Sequence, residues 1–198
     1  MTTAARIAFL ALLAPMTGWA QKIDVSNYSI TCNTLVGTAT SHPPLVIGGT
    51  ASPRTTTARA SIAGCTVTGP SPVTIVSGKL TGKVTAATNE CVTLFEPLDG
   101  TLTIKWTADP STPILQQSTT MQITDVTFGG FGAPWGTSYG EFSLGVAGVT
   151  GAFTGGDNGA QSTNVTITNQ DIGQILTECG SPHGLETLYL GLGTMTLK

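Results

Sequence analysis

The chain has 198 residues with a formal net charge of −3, and only 10% of them are charged. Hydrophobic residues make up 40%, aromatics 6%, and there are 25 glycines and 11 prolines. This balance excludes a nucleic-acid binder, which needs clustered Lys and Arg, a disordered chain, which needs high charge with low hydrophobicity, and a heptad coiled coil.

The first twenty residues read as a secretory signal. Arg6 follows a polar start, Ile7 to Met16 is apolar apart from Pro15, and Gly18-Trp19-Ala20 places small residues at the −3 and −1 positions of a cleavage site before Gln21. The apolar run falls short of the ~20 residues that span a bilayer, and no later run of that kind follows, so no transmembrane segment is expected in the mature chain. Residues 21–198 are then a single domain, at roughly 100–200 residues per domain.

From Tyr28 onward, Thr, Val and Ile stretches are punctuated by Gly, Pro, Asn and Asp, the pattern of strands joined by turns. Eight strands are predicted: Tyr28 to Thr40, Thr55 to Val67, Val73 to Ala87, Thr101 to Asp109, Thr119 to Phe128, Tyr139 to Phe153, Gln161 to Thr168, and Leu185 to Leu197. The fourth is the clearest, with Leu102, Ile104, Trp106 and Ala108 on one face and Thr101, Thr103, Lys105 and Thr107 on the other. Between the seventh and eighth, Ile172, Ile175, Leu176 and Cys179 recur at helical spacing. Asn169 is placed to cap this helix and Gly180 to end it. The fold expected is all-β: a single antiparallel up-and-down β-barrel or two-sheet sandwich of about eight strands, with one short helix before the last.

Four cysteines, Cys32, Cys65, Cys91 and Cys179, suit two disulfides in an oxidising compartment. Their separations do not resemble zinc-ligand spacing, and His42 and His183 are the only histidines, so no metal and no cofactor is expected. In an up-and-down order Cys32 and Cys65 share one end of neighbouring strands, while Cys91 and Cys179 share the other. Of three possible connectivities this favours Cys32 with Cys65 and Cys91 with Cys179. Together, Gly100-Thr101-Leu102-Thr103-Ile104-Lys105-Trp106, the Gly64-Cys65 pair, Gly151-Ala152-Phe153-Thr154-Gly155-Gly156 and the late Cys179 resemble the small Thr/Gly-rich exported bacterial β-proteins with four cysteines. The resemblance implies export and implies no activity, ligand or functional residue.

Candidate chemistry is sparse. Gly136-Thr137-Ser138-Tyr139-Gly140 matches the G-x-S-x-G of a serine-hydrolase elbow, with Asp157 or Asp171 and His183 in the right order. The elbow needs a strand turning into a helix, yet Glu141 to Val146 continues as strand, so a β-turn explains the match. Glu90, Glu96 and Asp99 cluster as paired carboxylates would for glycoside hydrolysis, and as acidic residues do on any solvated loop. Gly156-Asp157-Asn158-Gly159 lacks the further acidic ligands of a calcium loop. Phe131 and Trp135, on a Gly-rich loop after the fifth strand, are the candidate ligand-binding pair, able to present ring faces to a sugar or a small apolar ligand, or to cap the core. No catalytic residue is assigned.

The function expected is therefore a non-enzymatic, secreted, periplasmic or cell-surface protein with a structural or adhesive role. The alternative is a carrier of a small apolar ligand or glycan in a barrel cavity; a serine or carboxylate hydrolase is more remote. Too few aromatics for two girdles, and paired cysteines, stand against an outer-membrane barrel.

Overall fold

Alternation between Thr or Lys and aliphatic side chains sets up strands with one wet and one dry face. Twisted strands of that kind bury their dry face most fully by curling the sheet onto itself. The chain does this in a computed structural model, which describes residues 21–49, 52–95, 99–132, 139–154, 161–167 and 172–197. Its strands are β1 (Ser29–Leu45), β2 (Arg54–Thr68), β3 (Ile75–Ala86), β4 (Asp99–Ala108), β5 (Ser118–Gly132), β6 (Tyr139–Gly151), β7 (Gln161–Ile167) and β8 (Leu185–Leu197). A 3-10 turn, Cys91–Phe95, follows β3, and α1 (Ile172–Cys179) precedes β8. Each strand pairs antiparallel with its sequence neighbours, and β8 returns to β1, closing a barrel. Closure gives every described strand a partner on both sides, which is what a Thr-rich strand protein needs to avoid pairing with other chains.

The described inward side chains pack together. Leu35, Ile62, Leu80, Leu102, Ile104, Met121, Leu188 and Met195 are buried in one continuous apolar cluster. Small residues make room where large ones cross: Gly78 faces Trp106 and Gly82 faces Leu102 across β3 and β4. A Cβ at Gly78 would lie 2.9 Å from the indole, and one at Gly82 would strike Leu102. Outward positions on the same strands hold Lys79, Thr81, Lys83, Lys105 and Thr107, all exposed.

The inward set changes phase once on β1 and β2. Ile30 and Cys32 point in, and then Leu35 does; opposite them Cys65 packs on the core and then Ile62 does. Both strands take up the odd residue at the same level, so their pairing stays in step from Cys32↔Cys65 to Leu35↔Ile62. Gly64 enables this with a φ of +63°, a region costly for residues with a Cβ.

Both ends are plugged. At the end where β1 starts, the N-terminal segment crosses the opening: Ile23 N–H donates to Pro113 O (2.8 Å), Leu115 N–H to Ile23 O (2.8 Å) and Phe153 N–H to Val25 O (3.2 Å). Beneath it Trp106 meets Phe153 edge-on, ring centroids 5.4 Å apart. The Trp106 Nε1–H donates to Thr119 Oγ1 (2.8 Å), whose hydroxyl donates to Ala152 O. At the far end the chain after β1 lies on the 3-10 turn and α1. Val46 N–H donates to Asn89 O (3.0 Å), Cys91 N–H to Val46 O (3.1 Å) and Ile47 N–H to Cys179 O (3.1 Å).

Candidate functional site

The two disulfides mark the two ends. Cys32–Cys65 joins residues paired in register on β1 and β2, and Cys91–Cys179 ties the 3-10 turn to α1 at the opposite end. These are the pairs that the strand ends bring together, and no described cysteine is free.

Of the residues that sequence reasoning singled out, Trp135, Ser138, Glu96, Asp157 and Asp171 lie outside the described residues, as do the side chains of Phe131 and Asp99. The backbone of Phe131 belongs to β5 near its end. Glu90 is half-buried and its backbone bridges to Val46. His42 sits against Thr55 at the last level at which β1 pairs with β2, and His183 lies just before β8; both are exposed. Among the described residues no group of His, Cys, Asp and Glu could hold a metal ion.

Around the Cys91–Cys179 bridge an apolar groove of about 340 Å³ opens between Ile47, Val92, Ile175 and Leu176, with Glu90 at its rim. Ile47, Val92 and Leu176 are more than half exposed, an arrangement that suits a small apolar group and offers no described nucleophile beside Glu90. Below it lies Arg54, only 1% exposed, whose Nη1–H donates to Thr93 Oγ1 (3.0 Å) while the Thr93 hydroxyl donates to Glu90 O (2.6 Å). Arg54 therefore links the barrel interior to the turn that carries Cys91. Sequence reasoning missed it, although its parity with Thr56, Ala58, Ala60 and Ile62 on β2 places it on the inward face.

A second groove, about 320 Å³ and shallow, runs along the outer wall between β2 and β3, lined by Arg59, Ser61, Lys79 and Thr81. The carboxylates held below their ordinary range lie away from both grooves. Asp24 accepts the Ser26 N–H, with further help from the Ser26 hydroxyl and Gln116. Asp109 accepts the Ser111 hydroxyl and the Ser111 N–H in the turn after β4.

Compared with known proteins, the chain matches no family model, no curated protein and no solved structure.

Proposed function

We propose that this chain is an exported, non-enzymatic barrel module with a structural, surface or adhesive role, delivered by residues 1–20 acting as a cleaved secretory signal. The observation that carries this reading is the continuous apolar cluster inside the described part of the barrel, with chain segments crossing both of its ends. A carrier built on an internal cavity needs a hollow lined by inward side chains, whereas the described inward side chains pack on one another. Two disulfides suit an oxidising compartment. No described helix is long and apolar enough to cross a membrane. Where their side chains are described, the strands point mostly Thr and Lys outward and aliphatics inward, with Val36, Val76 and Tyr189 as exposed exceptions, a pattern opposite to the outward apolar band of a lipid-facing barrel.

A second reading, a carrier of a small apolar ligand, draws on the groove at Ile47, Val92 and Leu176, which would hold its cargo on the surface. Native mass spectrometry of the chain purified after secretion separates the two. The module reading expects a mass beginning at Gln21 with two disulfides and nothing bound. A stoichiometric apolar molecule retained through purification would overturn it in favour of the carrier.

A further inference from the structure

We propose that the outer wall of β2, β3 and β4 binds an acidic polysaccharide. The proposal deepens the adhesive reading and rests on it for its setting. In a chain of net charge −3, four of the eight Lys and Arg residues stand on this wall: Arg59, Lys79, Lys83 and Lys105, all exposed. Strands β1, β2 and β3 contain no Asp or Glu, and β4 contains only Asp99, at its first position. The wall is thus strongly cationic on a molecule that is acidic elsewhere.

Register makes the cluster compact. Arg59 pairs with Thr81, and Thr81 lies on β3 between Lys79 and Lys83. Lys79 pairs directly with Lys105 on β4, and Lys83 with Thr101. Diagonal neighbours on adjacent strands sit about 7–8 Å apart and direct ones about 5 Å, so the cations ring Thr81 within reach of one polymer segment. Like charges placed directly opposite each other repel. The Lys79–Lys105 pair is a cost to the fold that an anionic group lying across both ammonium ions would remove.

The groove between β2 and β3 runs through this ring, with Ser61 and Thr81 beside Arg59 and Lys79. Exposed hydroxyls at Thr57, Ser61 and Thr81 alternate with the cations and are suited to sugar hydroxyls and to carboxylate or sulfate oxygens. A single-stranded nucleic acid would need aromatic platforms for its bases. β2 and β3 carry no aromatic residue, and Trp106 of β4 is buried inside the barrel. A membrane surface would need apolar side chains to insert. Val36 at the edge of the groove and Val76 near the start of β3 are the exposed large apolar residues here, and they stand apart rather than forming an inserting face.

The test measures binding of the purified disulfide-bonded chain to dextran sulfate and polygalacturonate. Uncharged dextran, a single-stranded DNA oligonucleotide and phosphatidylglycerol vesicles serve as the other probes. The expected result is binding to one or both anionic polysaccharides that weakens as salt is raised, with none to dextran. The triple variant Arg59→Ser, Lys79→Ser, Lys105→Ser is expected to lose about tenfold in affinity, and Lys22→Ser, off the wall, to lose none. Thermal melting checks that the triple variant is folded; should it not be, Lys79→Gln alone is expected to weaken binding and flatten its salt dependence.

Absence of salt-sensitive binding, equal binding by the triple variant, or tighter binding to the oligonucleotide or vesicles would overturn the proposal. Native mass spectrometry keeps the two readings apart. A ligand-free mass without polysaccharide binding sinks this proposal alone, whereas a co-purified apolar ligand sinks the module reading.

Discussion

At Gly64 the backbone takes a φ of +63°, and a Cβ built there would land on Asn33 Oδ1 of the facing strand. Two penalties therefore meet in Gly64→Ala: a left-handed conformation costly for any residue with a Cβ, and a clash at the level where β1 and β2 change phase together. The variant is expected to lose about 1–3 kcal/mol in urea denaturation, more than Gly48→Ala, which shares the left-handed backbone (φ +67°) but whose Cβ would meet nothing within 4 Å, so the difference between the two reads the clash. Trp106 tests the plug at the other side of the same end. Trp106→Phe keeps an aromatic ring against Phe153 but removes the donor to Thr119, a fully buried hydroxyl. Leaving that oxygen short of a partner in a dry interior is expected to cost ~1–3 kcal/mol, read by far-ultraviolet circular dichroism because the substitution alters the fluorescence signal.

Helix α1 shows how an element too short to persist alone is held. It has eight residues and contains Gly173, whereas isolated helices need about 12–15 residues to be even marginal. Ile175 is buried, and Cys179 fixes the C-terminal end through its bridge to Cys91. Removing that bridge with Cys91→Ser and Cys179→Ser is expected to cost about 2–4 kcal/mol and to speed amide exchange across residues 173–179 before the strands open. Removing Cys32–Cys65 instead is expected to cost about 1 kcal/mol less. It spans 33 residues rather than 88, and the pairing of β1 with β2 already holds the two sulfurs together. Equal losses, or exchange that speeds first in β1 and β2 in the variant lacking Cys91–Cys179, would contradict this account. Strand existence was legible from alternation, and β4 was legible to the residue face, because one dry and one wet side leave a period of two in the sequence. The ends were less so. β1 continues through Pro43 and Pro44 to Leu45: its pairing with β2 ends at His42 against Thr55, and its register against β8 shifts between Thr40 and Leu45, which pairs with Leu185, so the prolines fall in the irregular stretch and need donate no ladder hydrogen bond. The 3-10 turn at Cys91–Phe95 has no periodic signature and is fixed by contacts with Val46 and Arg54. The cationic wall was also hidden in the linear order. Arg59, Lys79, Lys83 and Lys105 become neighbours only once the register of three strands is known. Of the aromatic loop, Trp135 and the side chain of Phe131 fall outside the described residues.

At the scale of the molecule, most of the side-chain hydrogen bonds among the described residues join neutral groups, threonine hydroxyls above all, so pH acts on stability through few groups. Two of them sit in the segments that close one end of the barrel: Asp24 in the N-terminal crossing and Asp109 in the turn after β4. Both are held below the ordinary carboxylate range by donors that exist only in the folded chain, chiefly the Ser26 N–H for Asp24 and the Ser111 hydroxyl for Asp109. A carboxylate whose folded pKa is depressed contributes stability above its unfolded value and loses it as pH falls through the folded one. With unfolded values near 4, the melting temperature is expected to be flat with respect to these two groups from neutral pH to about 5 and to fall below about pH 4. Asp24→Asn with Asp109→Asn keeps an acceptor oxygen at each turn but removes the charge, so the double variant should decline less steeply over that acid range. Melting curves collected from pH 7 to 2 read the difference directly. A wild-type protein that gains stability on acidification, or a double variant that declines as steeply, would show that the two turns do not couple protons to the closure of the barrel.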